Sequence, residues 1–114
     1  MSNRNDKEWL IDINEAIERV MEYTSKLKDS DFFDDKKTQD AVVRNLEIIG
    51  EASGKISEDL RSANPNIPWK TLSGVRNRLI HHYFGVNIDI VWSIAKEDLP
   101  ELHKNILRLT KELL

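Results

Sequence analysis

Apolar residues at Trp9, Ile13, Ile17, Val20, Met21 and Leu27 recur at three- and four-residue steps. That period places them along one face of a helix, and no segment of the chain shows the strict apolar–polar alternation that a half-buried strand requires. Asn5 with Glu8 three residues later is a capping pattern for the start of this helix. A second stripe, Val42, Leu46, Ile49, Ser53, Ile56 and Leu60, follows the acidic opening "DFFDDKK". "NPNIPW" stops it, because the ring of Pro65 disfavours helix in the residue before it, while Pro68 suits the first turn of a third helix. The third stripe holds Trp69, Leu72, Val75, Leu79 and Ile80, and "FGVN" breaks it at Gly85. "IDIVWSIAKEDL" begins a fourth helix. Asp98 followed by Glu101, with Pro100 in the first turn, reads as a cap for a separate or kinked last helix. The expected fold is all-α, an up-down bundle of four to five helices with short loops.

Nothing covalent reinforces such a bundle, since the chain has no cysteine. Disulfides, zinc-thiolate sites and cysteine nucleophiles are thereby excluded. With 114 residues, 39% of them hydrophobic, the chain suits one compact domain spanning 1–114. The polar start "MSNRNDKEWL" has no apolar run of signal length, and no stretch approaches the roughly 20 apolar residues of a membrane span. These features lead to the expectation of a cytoplasmic protein without a membrane partner.

The formal net charge of −3 argues against a nucleic-acid partner only if charge is spread evenly. It is not. From Arg61 to Ile88 there is no Asp or Glu, whereas Arg61, Lys70, Arg76 and Arg78 occur there with His81 and His82. Screening confines each charge to a neighbourhood of about 8–10 Å, so this local balance is what an anionic ligand meets.

Within that segment, "RNRLIHHYFG" carries the groups capable of chemistry. On an ideal helix with Arg76 at zero, Tyr83 lies about 20° away and Ile80 about 40°, while His81 lies about 140° round, beside Asn77. An arginine bordering an apolar stripe needs an acidic partner, and Glu47 or Glu51 of the second helix are the candidates. His81 is suited to acid–base work near neutral pH, and the Arg76 guanidinium to a forked grip on phosphate. Together they suit cleavage of RNA, in which the ribose 2′-hydroxyl is the nucleophile and no metal is needed. Five residues on one straight helix mean a rise of about 7.5 Å and divergent directions. Either the helix distorts near its end, or two copies of the chain contribute to one site.

"RNRLIHHY" matches the R-x4-H-x-Y motif of the HEPN superfamily, and its setting resembles the HepT-like toxin ribonucleases of bacterial and archaeal toxin–antitoxin systems. "AVVRNLEIIGEASGKIS" and "IPWKTLSGVRNRLIHHYFGVNIDIVWSIAKEDLPELHKNI" carry the resemblance across roughly residues 8 to 110. It implies a homodimeric, metal-independent helical endoribonuclease that needs no cofactor, with its cleft at the dimer interface. Arg76 would be the motif arginine, His81 the motif histidine and Asn77 the polar residue that supports them. Lys70, Arg78 and His82 would attract the RNA backbone. The resemblance also implies a partner, a minimal nucleotidyltransferase antitoxin that transfers AMP to the motif tyrosine, here Tyr83. A phosphate there would put negative charge where substrate phosphate should bind. His82 occupies a motif position that is often acidic or small in this family. The competing reading is a non-catalytic helical dimer that only docks such a nucleotidyltransferase.

Other residues have plainer expectations. Gly50 and Gly54, one turn apart, allow close approach of either the third helix or a second copy, with packing inside the chain slightly favoured. Trp69 and Trp92 belong to the core or an interface. His103 is expected in solvent, and "DSDFFDD" as a solvated acidic loop.

Overall fold

A computed structural model describes residues 4–79 and 87–113, with Arg76 and Leu79 as backbone only. All regular structure among them is helical, as the periodicity requires. Helix α1, Asp6–Thr24, starts at the expected cap: the Glu8 amide donates to Asn5 Oδ1 at 3.0 Å, and the Asn5 amide donates to Glu8 Oε1 at 3.3 Å. Its inner face, Leu10, Ile13, Ala16, Ile17 and Val20, is completely buried. Much of that face meets α3, Lys36–Lys55, through Val42, Leu46, Ile49 and Ala52. The Asp35 carboxylate begins α3 by accepting from the Thr38 amide at 3.0 Å and the Thr38 hydroxyl at 2.6 Å. These bonds favour the charged carboxylate and hold the pKa of Asp35 below the usual range.

The second stripe does not continue as one helix. α3 ends at Lys55, Ile56 turns extended at ψ 139°, and Ser57 caps a new short helix, α4, Glu58–Ala63. Leu60 thus belongs to α4. Ser57 is held from a distance: its amide and hydroxyl both donate to the Asp6 carboxylate, at 2.8 and 2.5 Å. The acidic "DSDFFDD" is likewise not only a loop. Asp29–Phe33 forms α2, which places Phe32 wholly inside, its ring centroid 5.0 Å from that of Trp92. Burying an aromatic ring outweighs the solvation of the acids beside it, which remain on the outer side.

The third stripe is divided at Gly74 into α5, Trp69–Ser73, and α6, Val75–Leu79. The chain then resumes with α7, Ile88–Ser93, capped by Asn87, whose Oδ1 accepts from the Ile90 amide at 3.2 Å. From Ser93 the helix continues without interruption through a π turn, Ile94–Asp98, into α8, Leu99–Glu112. Asp98 is therefore not a cap; its backbone is helical at φ −90° and ψ −42°, and its side chain caps nothing. Pro100 is accommodated instead by the wider turn, in which the Leu99 amide reaches back five residues to the Ile94 carbonyl.

α8 buries Leu102, Ile106 and Leu109 and packs beside α1. Between them Asn14 Nδ2 donates to Thr110 Oγ1 at 2.8 Å, and that hydroxyl passes its own proton to the Ile106 carbonyl at 2.7 Å. His103, expected in solvent, also faces this junction: its Nε2 lies 3.1 Å from Glu18 Oε2, with only 19% of the side chain exposed. Among the described residues, no helix is long and apolar enough to cross a membrane.

Candidate functional site

The motif arginine lies on α6, a helix too short to place itself. Its described anchors lie on its N-terminal side and on α3. Upstream, the Asn64 carbonyl accepts from the Trp69 indole at 3.0 Å, and the Asn64 side chain donates to the Leu60 carbonyl at 3.0 Å. One residue thus ties the end of α4 to the start of α5, and Trp69, only 7% exposed, anchors that start in the core. At the start of α6 itself, the Gly74 carbonyl accepts from the amides of Asn77 and Arg78, and Val75 is buried against α3.

The seat for Val75 is Gly50. A Cβ at position 50 would stand 2.9 Å from Val75 Cγ1 and 3.2 Å from the Leu72 carbonyl oxygen, both inside normal contact. Gly54 is different, since a Cβ there would meet Ser73 Cβ at an ordinary 3.8 Å. The small-residue face of α3 is accordingly used for packing inside the chain. Glu47 and Glu51, the expected partners of Arg76, line a cleft of about 290 Å³ with Arg44, Gly50 and Ser73. The pairing itself concerns a side chain outside the described residues.

Of the other anticipated site residues, Lys70, Asn77 and Arg78 are exposed on α5 and α6. His81, His82 and Tyr83 lie outside the described residues. Arg78 lines a groove of about 410 Å³ whose apolar floor includes Leu72, Val75, Leu99 and Leu102. Glu97, Asp98 and Glu101, contributed by the π turn and α8, line the same groove. The acid-free segment thus meets acids supplied by another part of the chain. Sequence reasoning assigned Asp98 and Glu101 to a cap and passed over Glu97. The available signal was their spacing with Ile94 and Leu102, which follows one helical face if the helix is continuous.

Among the described residues, no group of three or more His, Asp or Glu side chains is arranged to hold a metal ion.

Comparison with known proteins connects this arrangement to a family. The profile of the ribonuclease HepT-like family matches residues 13–109. A Thermococcus cleftensis protein named "Probable ribonuclease HepT" is 47% identical over 108 residues, covering 95% of this chain and 98% of that protein. Two Methanocaldococcus jannaschii proteins, named as candidate RNases, are 45% and 38% identical; the matches cover 93% and 99% of this chain, and 97% and 93% of those proteins. No solved structure gives a significant match. With the profile spanning most of the bundle and these relatives aligned almost end to end, the chain belongs to the HepT-like ribonuclease family.

Proposed function

We propose that this chain is an endoribonuclease that cleaves RNA without a metal, using Arg76 and His81 with help from Asn77. Neutral His81 takes the proton of a ribose 2′-hydroxyl as O2′ attacks the adjacent phosphorus. Arg76 balances the charge growing on the non-bridging oxygens. The bond to the 5′-oxygen breaks, and that oxygen leaves with a proton from an imidazolium. The products are a 2′,3′-cyclic phosphate and a 5′-hydroxyl. A homodimer supplies two copies of the motif to one cleft, which removes the difficulty that Arg76 and His81 diverge on a single straight helix. Lys70, Arg78 and His82 add attraction for the RNA backbone.

The observation that carries this reading is the membership in a ribonuclease family, joined to an α6 whose second residue is the motif arginine and which exposes Asn77 and Arg78. The same family resemblance supports a place in a toxin–antitoxin system. A minimal nucleotidyltransferase antitoxin adds AMP to Tyr83 and silences the enzyme by placing phosphate charge beside Arg76.

The test combines intact mass with RNA cleavage in EDTA. The unmodified protein should cut RNA and the His81→Ala variant should not. Co-production with the nucleotidyltransferase and ATP should add mass in AMP units at Tyr83 and abolish cleavage. Intact RNA with wild type and variant alike would refute the nuclease assignment, and binding to the nucleotidyltransferase without any cleavage would favour a docking module.

A further inference from the structure

The outer faces of α1 and α8 carry opposite charge and lie side by side, and the chemistry proposed above uses neither. On an ideal helix Ile11, Glu15, Glu18 and Glu22 fall within about 60° of one another, and so do Lys104, Arg108 and Lys111. All seven are exposed, Ile11 to 37%. Half-buried Leu107 borders the same seam from α8. The ion pairs among the described residues join Arg4 to Asp12 and His103 to Glu18. Glu15, Glu22, Lys104, Arg108 and Lys111 thus have no opposite charge within pairing distance among those residues. The dipole of α8 favours a cation at Lys111, in its last turn, but not at Lys104, two turns earlier.

The two rows are also in register. Glu18 lies against His103 and Asn14 against Thr110, so the helices run antiparallel. At about 1.5 Å per residue, these contacts set Lys104 level with Glu18 and Arg108 level with Glu15. A second copy can meet this face about a two-fold axis across the helices or along them. The first places α1 on α1 and α8 on α8, like charge against like, which is repulsive along both rows. The second lays α1 of each copy over α8 of the other without changing level, so each acidic row meets a basic one. Ile11 and Leu107 of both copies then come together around the axis and leave water.

We infer that the α1–α8 face binds a second copy of this chain about a two-fold axis parallel to these helices, with Arg108 of each copy meeting Glu15 of the other. The face includes no residue of α6, which packs on α3 and α7, so this contact is separate from the dimer proposed to complete the RNA cleft. It holds whether or not the ribonuclease reading does. Added to that dimer, a second two-fold contact joins dimers into tetramers or longer chains. α8 has 14 residues, so a face of its length and two helices wide offers roughly 400 Å² per copy, about half the area of a standard stable interface. The association is therefore weak, and it responds to salt because its charges are exposed.

Sedimentation velocity of the full chain at rising concentration in low salt tests this. The weight-average mass should climb to at least twice its dilute value, and about 0.5 M sodium chloride should weaken the association by roughly 10-fold or more. Arg108→Glu and Glu15→Lys should each weaken it by a similar factor, with helix content and unfolding midpoint unchanged. The double variant carrying both reversals should regain wild-type association, which a merely structural role for either residue does not predict. A mass that stays constant up to about 1 mM protein, single reversals without effect, or a double variant that stays dissociated overturns the inference. Loss of RNA binding in Arg108→Glu without any change in mass overturns it too, and leaves the α8 row as a track for the RNA backbone.

Discussion

Replacing Gly50 with alanine sets two effects of similar size against each other. In a helix interior alanine is favoured over glycine by about 1 kcal/mol, because it restricts the unfolded chain. Against this stands the new Cβ, 2.9 Å from Val75 Cγ1 and 3.2 Å from the Leu72 carbonyl oxygen. Neither neighbour yields easily. Val75 is only 4% exposed and β-branched, so its methyl cannot rotate away, and the Leu72 oxygen belongs to the backbone at the α5–α6 junction. The junction must retreat by several tenths of an ångström, and overpacking of this kind costs about 1–3 kcal/mol. The net expectation for Gly50→Ala is a loss of roughly 1 kcal/mol, about 4 °C in midpoint for a chain of this size. Gly54→Ala supplies the control. Its Cβ would sit 3.8 Å from Ser73 Cβ, so the helix preference acts unopposed and stability should rise by up to about 1 kcal/mol. Urea and thermal unfolding of the two variants measure the contrast, and RNA cleavage should fall only in Gly50→Ala, as α6 is displaced. A Gly50→Ala protein stabilised to the same degree as Gly54→Ala would refute the reasoning, since α6 would then not be seated rigidly on α3.

Asn5→Ala should lower stability by about 1 kcal/mol in urea unfolding, through loss of the bond that the Asn5 side chain accepts from the Glu8 amide, without changing RNA cleavage. Phe32→Ala should cost about 3–5 kcal/mol and leave the chain largely unfolded or aggregated by circular dichroism, because the ring is fully buried against Trp92. Asp35 titrates below the usual range, mainly because of its side-chain bond to Thr38, so its contribution is complete above the unfolded carboxylate pKa and disappears as pH falls through the lowered folded value. Urea midpoints from pH 6 down to 2.5 should therefore fall more steeply in the wild type than in Asp35→Asn, which can cap but does not titrate; parallel curves would contradict this.

Where the determinants are local, the sequence was readable. The α1 cap needs only Asn5 and Glu8, and the apolar stripes of α1 and α3 need only their period, so the all-helical fold followed from short spacings. What escaped depends on distant partners. Phe32 is drawn inward by Trp92, sixty residues on, against the polarity of its immediate neighbours. The apolar phase runs on through Ile56 and Leu60, and α3 nevertheless stops because Ser57 is claimed by Asp6. Asp98 and Glu101 have the spacing of a cap, but a cap also needs the chain to leave the helix, and the π turn keeps it in. For the site, Arg76, Asn77 and His81 were visible as a motif, whereas the groove that Arg78 lines together with Glu97, Asp98 and Glu101 arises only in the folded chain.

The bonds from Ser57 to Asp6 join positions 51 residues apart. Closing a loop of that length carries an entropic cost met before the contact returns anything, so the clasp belongs to the later stages of folding. It gives α4 a boundary that depends on the first turn of α1, and α4 leads through Asn64 to the start of α5. An alteration reaching Asp6, whether a truncation or a fused tag, is thereby transmitted by three consecutive hydrogen-bonded junctions to the helix that carries Arg76. Enzymes prepared with different N-terminal additions should consequently differ in activity more than in overall helix content.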